Sequence, residues 1–215
     1  TLHKALSTNY PNYYDIGLKN KNGEYQQLNT HLLQIENEFY SAIRPKRTSA
    51  SGETPIHALQ ERGVEYIEVR CVDVNPLLPC GIDEETICFL DTFLLFCLLQ
   101  DSPKTDNTES DCISTNISRT VYSGRDPELT LLQNGREVPL RQWGSSLIDQ
   151  MAPVAHLLDS ANQIDDYSNA LAKMSSRIKD AKSTPAAVML REMGENQETF
   201  FAMAMRKSAE HKNHF

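Results

Sequence analysis

The sequence predicts an α+β protein: residues 1–80 form part of an antiparallel sheet, and residues 81–215 are mostly helical and pack on it. Three observations lead there. Before residue 80, short β-like runs alternate with turn residues; after Pro79, apolar residues recur at helical spacing between recognisable caps. Charge divides near the same place. Residues 1–70 carry eight Lys/Arg and eight Asp/Glu, so the whole formal charge of -8 belongs to residues 71–215. With 40% hydrophobic and 23% charged residues, the composition is that of an ordinary globular chain with a real core.

Taken in order, Tyr10-Pro11-Asn12 is a turn, and Asn22-Gly23, set between Ile16-Gly17-Leu18 and Tyr25, is the preferred two-residue hairpin turn. Strands are expected over Leu33–Ser41 and Val64–Val74, separated by Arg47–Gly63, whose Thr48-Ser49-Ala50-Ser51-Gly52 segment reads as a mobile surface loop. The next element is a helix with Asp83 as N-cap and Glu84 and Glu85 in its first turn; Ser102-Pro103 stops it after Asp101. Being apolar nearly all round, it is expected at the centre of the fold. A shorter helical segment follows around Ile113–Tyr122, ended by Gly124, and further amphipathic helices are expected over Leu140–Ser160, Asp165–Lys182, Pro185–Met193 and Gln197–Lys212. Their acidic residues read as a solvated face.

Several classes of function are excluded. An acidic chain lacks the basic footprint that general nucleic-acid binding or docking on an anionic membrane requires. The most apolar window, Ile87–Leu99, is interrupted by Asp91 and Thr92 and falls short of the roughly twenty residues that span a bilayer. The opening Thr1-Leu2-His3-Lys4 has neither an initiator Met nor the features of a signal peptide, so a cut chain or a fragment is expected. Five cysteines, Cys71, Cys80, Cys88, Cys97 and Cys112, form no C-x-x-C pair and are read as free, buried thiols in a reducing cytosol. P-loop, dinucleotide-binding and H-E-x-x-H motifs are absent, and the six His are scattered.

The candidate chemistry lies on the two longer strands. Alternation along Val64–Val72 puts Ile67, Val69 and Cys71 on a core face, with Tyr66, Glu68, Arg70 and Val72 opposite. Glu68 and Arg70 then stand about 6.6 Å apart at roughly 3.3 Å per residue, a spacing suited to a carboxylate that holds a metal beside a guanidinium that holds a phosphate. A solvent-facing charged pair explains the same pattern. The strand over Leu33–Ser41 would likewise carry Glu36, Glu38 and Tyr40 on one face, so the two strands aligned in one sheet would gather three acids, an arginine and an aromatic ring. Ile43-Arg44-Pro45-Lys46-Arg47 adds a basic cluster next to it, read either as an anion site or as an exposed charged loop.

Four stretches, Leu2–Asp15, Gln34–Ser41, Ile43–Arg47 and Gly63–Arg70, closely resemble the proteobacterial type of glutamate-cysteine ligase; the resemblance is dense to about residue 76 and thins beyond it. It implies a glutamine synthetase-like antiparallel sheet as the active-site floor, with helices packed behind. It implies an ATP- and Mg²⁺-dependent, cytoplasmic enzyme, monomeric at full length, that joins L-glutamate to L-cysteine in the first step of glutathione synthesis. By position it makes Glu68 a Mg²⁺ ligand, Arg70 a contact of the transferred phosphoryl group and Tyr40 a wall of the cysteine pocket. Of Arg44 and Arg47 it places at least one on nucleotide or phosphate; Glu36 and Glu38 receive no role. Full-length members are much longer and carry their other metal-binding acids ahead of the position of Thr1, so the chain alone is expected to be inactive. Two readings stay open beside this one: a ligase of the same superfamily with another amine as acceptor, and a non-catalytic helical partner subunit.

Overall fold

The structure, a computed structural model, describes residues 2–213, and the chain divides into two units, Thr1–Asp73 and Val74–Phe215.

In the first unit, side chains claim many of the backbone amides that strands would need. Two short helices, α1 (Leu2–Ser7) and α2 (Pro11–Ile16), open it, the second with Pro at its first turn, where the missing N–H costs nothing. The hairpin expected at Asn22-Gly23 is a loop closed by one antiparallel bridge, Lys19 with Tyr25. Asn20 Oδ1 accepts from the Asn22 and Glu24 amides at 2.9 and 3.0 Å, so an Asn side chain does the work of a cross-strand partner.

The strand expected over Leu33–Ser41 does not form. That stretch is irregular around a single 3-10 turn at Glu36–Glu38. The physical reason is local competition. Glu38 Oε2 turns back to accept from the Gln34 amide at 2.6 Å, Asn29 Nδ2 takes the Gln34 carbonyl at 2.8 Å, and Glu36 Oε2 reaches the Ile56 amide at 3.0 Å. The strand falls later instead, as β1 (Ile43–Lys46), and pairs antiparallel with β2 (Tyr66–Val69). Between them lies a helix that the sequence does not predict, α3 (Pro55–Arg62), capped by Thr54 Oγ1 and led by Pro55. β2 is shorter than the run Val64–Val74, and its expected core face is only partly covered: Val69 is half-buried, while Ile67 and Cys71 are exposed. A two-stranded sheet can bury little of either face.

The second unit is built on three helices. α4 (Glu84–Leu99) is capped as expected, Asp83 Oδ1 accepting from the Thr86 amide at 2.9 Å. Together with α6 (Leu140–Asn162) and α7 (Asp166–Lys179) it encloses Phe96, Ile148, Met151, Val154, Ala155 and Leu171. Yet α4 is not buried all round. Cys88, Thr92 and Phe96, four residues apart, form its buried stripe, whereas Leu98 and Leu99 are 79% and 62% exposed. α5 (Asn107–Ser123) is longer than predicted because Asp106 caps it a turn and a half earlier.

A hairpin in this unit is likewise absent from the sequence-based expectation. β3 (Thr130–Gln133) and β4 (Arg136–Pro139) are joined by Asn134-Gly135, both at positive φ (52° and 73°), the backbone that a two-residue primed turn requires. α8 (Pro185–Asn196) and α9 (Phe200–Lys212) complete the chain, cross-linked by Arg206, which pairs with Glu192, Glu198 and Glu210. His211 Nε2–H donates to the Pro76 carbonyl at 3.1 Å, fastening α9 to the loop that opens this unit. All five cysteines are free, but Cys88 alone is buried; Cys71, Cys80 and Cys97 are exposed, because they lie outside regular elements or on the outer face of α4. Among the described residues no helix is long and apolar enough to cross a membrane.

Candidate active site

The β1–β2 register brings the candidate residues together. Arg44 stands directly opposite Glu68, and Lys46 opposite Tyr66. Since alternate residues share a face, Arg44, Lys46, Tyr66 and Glu68 lie on one side, and Arg70, whose amide extends the ladder to the Ala42 carbonyl at 2.8 Å, continues the same row. Glu68 is gripped from two directions: Arg70 Nε lies 2.7 Å from Oε1, and Lys46 Nζ lies 3.2 Å from Oε2. The Arg70 guanidinium first, and the Lys46 ammonium second, hold the Glu68 carboxyl below the usual carboxylate range, so it is ionised at neutral pH.

The remaining candidates divide clearly. Tyr40, 72% exposed, places its ring 5.9 Å from the Arg70 guanidinium carbon, at the outer limit of a cation–π contact. Arg44, half-buried, pairs through its backbone in the ladder, but its side chain makes no hydrogen bond or ion pair among the described residues, which leaves its five guanidinium donors free for a ligand. Arg47 is not brought to this face; its Nε sits 3.8 Å from Glu65 Oε2, and the same carboxylate oxygen accepts from the Thr48 amide. Glu36 and Glu38 do not join Glu68. Their carboxylates serve the Ile56 amide and the Gln34 amide, so the three-acid surface expected from two aligned strands is not formed.

What the face offers chemically is therefore three cations around one carboxylate. It borders a cavity of about 580 Å³ between β1 and α3, lined by Glu36, Phe39, Arg44, Lys46, Ile56 and Leu59 among others. That volume is in the range of small-molecule sites. Among the described residues no three His, Cys, Asp or Glu side chains group to hold a metal. Glu68 is thus the single carboxylate this face can give a hard cation. Mg²⁺ fits such a donor, because it commonly takes one or two carboxylates and completes its shell with water and substrate phosphates. The residue that sequence reasoning missed is Lys46. It belongs to the basic cluster but receives no role there, although its spacing of two from Arg44 already puts both on one strand face.

A sequence model described as glutamate-cysteine ligase matches residues 1–120. The chain belongs to the glutamate-cysteine ligase family. Glutamate-cysteine ligases of Pseudomonas fluorescens and Pseudomonas putida are 45% and 47% identical to it over all 215 residues. The chain spans about 40% of the length of these relatives. The crystal structure of the glutamate-cysteine ligase of Francisella tularensis in complex with AMP superposes with a TM-score of 0.81 and 33% identity, over 98% of this chain and 42% of that one. A bifunctional glutathione synthetase from Pasteurella multocida shares the fold at a TM-score of 0.59 and 18% identity, over 81% of this chain and 22% of that one.

Proposed function

We propose that this chain carries the phosphoryl-transfer face of an ATP-dependent glutamate-cysteine ligase. The carrying observation is the Glu68 carboxylate set among Arg70, Lys46 and Arg44 on one sheet face, in a chain whose relatives are named for that ligation. In the proposed reaction the side-chain carboxylate of L-glutamate takes the terminal phosphoryl group of ATP, releasing ADP. The amine of L-cysteine then attacks the acyl phosphate, phosphate leaves, and an amide remains.

Each residue has a task set by its place. Arg70 stabilises charge on the phosphoryl group in flight, and Arg44 binds phosphate oxygens with its uncommitted guanidinium. Glu68 would hold Mg²⁺ with its one carboxylate, as this ion commonly takes one or two carboxylates beside substrate phosphates. Mg²⁺ when bound neutralises phosphate charge. Tyr40, exposed beside Arg70, forms a wall of the cysteine site, and Arg47 stays at the rim with Glu65. The solution state is monomeric and the compartment the cytoplasm, where both amino acids and ATP are at hand.

The test is ADP release by an active enzyme that carries this chain, expected only when L-glutamate and L-cysteine are both present. Arg70→Ala should lower turnover by about 10²–10³, the usual effect of deleting one transition-state charge contact, with the fold retained. Unchanged turnover in that variant would remove Arg70 from the site, and release driven equally well by other amines would remove cysteine from the proposal.

A further inference from the structure

Glu68 cannot satisfy the cations gathered around it. One carboxylate serves Arg70 through Oε1 and Lys46 through Oε2, and Arg44 stands across the ladder with no side-chain partner among the described residues. The face thus carries an excess of two positive charges. The Lys46 and Glu68 side chains are both about one-third exposed (31% and 36%), and an ion pair at that exposure holds its partners weakly. Arg44, Lys46 and Arg47 all line the cavity between β1 and α3, but of these only Lys46 also pairs with Glu68. That lining includes neither Glu68 nor Arg70, so Lys46 stands between the cavity and the carboxylate. Arg47, the next residue, pairs with Glu65 at 3.8 Å and not with Glu68.

We infer that Lys46 is a nucleotide-phosphate ligand that Glu68 holds in place until the phosphates arrive. An ammonium on a four-carbon stem is a movable point charge with three donors, suited to leave one carboxylate oxygen for a polyphosphate oxygen nearby. The transfer serves both partners: the polyphosphate cancels the positive excess, and Glu68 Oε2 is freed to meet a cation. Glu68 and polyphosphate therefore compete for Lys46 and Arg70, which gives two substitutions on one face opposite signs.

This inference rests on the nucleotide site proposed above, and the experiment separates the two. Calorimetric titration of an active enzyme carrying this chain, in EDTA, would use ADP and inorganic tripolyphosphate as probes. Lys46→Met should raise the Kd of both about tenfold, as loss of a charge-assisted contact does, whereas Lys46→Arg should retain most of the affinity. Glu68→Gln, which releases Lys46 and Arg70, should instead lower both Kd values. Lys46→Gln, which keeps polarity without charge, should match Lys46→Met and covers the case in which the apolar variant misfolds. Binding of ADP to the unsubstituted enzyme that neither Lys46 variant weakens, or that Glu68→Gln weakens, overturns the role of Lys46 and leaves the nucleotide site standing. Failure of the unsubstituted enzyme to bind ADP at all overturns both.

Discussion

Glu53 is the most strongly perturbed carboxylate of the first unit, and its surroundings explain why. Arg62 approaches it with two parallel hydrogen bonds, Nη2 to Oε2 at 2.7 Å and Nη1 to Oε1 at 2.9 Å, while the Ala50 amide and His57 Nδ1 complete the set at 2.8 and 3.3 Å. The Arg62 hydrogen bonds first, then that from Ala50, bring its carboxyl down to about 2. A depressed folded value stabilises the native state above the unfolded carboxyl range and is lost as pH falls toward the folded value. The difference in thermal midpoint between the native chain and Glu53→Gln should accordingly be constant above about pH 5 and vanish near pH 2, measured by melting across that range. A difference that persists at pH 2 would show that the contact does not depend on charge. Arg62 Nη2 also holds the Thr48 carbonyl at 3.1 Å, so this pair ties down the loop that follows β1 and its basic residues. None of these partners was legible in the sequence: Glu53 and Arg62 are nine positions apart, on a loop and on a helix that its patterns do not predict.

Several helices in this protein begin where a side chain accepts from a backbone amide, and one of those side chains comes from another helix. Asp159, on α6, is 7% exposed and caps the start of α7: its Oδ1 accepts from the Tyr167 amide at 3.0 Å, and its Oδ2 from the Ser168 amide at 3.1 Å and from the Ser168 hydroxyl. Burial alone would raise its pKa, but the Ser168 hydroxyl and the two amides together outweigh that and hold the carboxyl below its ordinary range. Asp159→Ala should destabilise the helical unit by about 1–2 kcal/mol, the usual scale for a lost cap, read from urea unfolding. The stabilisation supplied by Asp159 should be present at neutral pH and fade as pH falls below about 4. The β3–β4 hairpin is fixed in the same manner. Asn116 donates to the Leu132 carbonyl (2.8 Å) and accepts from its amide (2.7 Å), and Arg119 pairs with Glu137 through two hydrogen bonds of 2.8 and 3.0 Å. Asn116→Ala should therefore speed amide exchange across Thr130–Pro139 while leaving α4, α6 and α7 protected; unchanged exchange in the hairpin would show that its own ladder suffices. Asn-Gly marks both loops of this kind, yet one makes a two-stranded ladder and the other a single bridge. Only Asn134-Gly135 has both residues at positive φ, whereas in the other loop Gly23 alone does, so the dipeptide by itself does not fix the turn.

At the scale of the whole molecule, the buried core cluster and the candidate site lie in different units. Met151, 1% exposed at the centre of the α4–α6–α7 core, should cost about 2–5 kcal/mol when replaced by Ala, measured by unfolding followed through Trp143, the single tryptophan, on the same helix. A loss below about 1 kcal/mol would place the core elsewhere. The sequence by itself determined the α+β class, the capped helix at Asp83 and the order of the later helices, because caps, Pro stops and apolar periodicity act over a few residues. Through the resemblance it also determined the family. It determined, by alternation alone, that Glu68 and Arg70 share a face. Only the tertiary structure decided that Leu33–Ser41 is no strand, since that depended on Glu36 reaching the Ile56 amide twenty residues away. Only the tertiary structure decided that Lys46 and Arg44 join Glu68 while Arg47 turns to Glu65, because cross-strand register depends on which residues meet across the ladder, a fact that no periodicity within one strand contains.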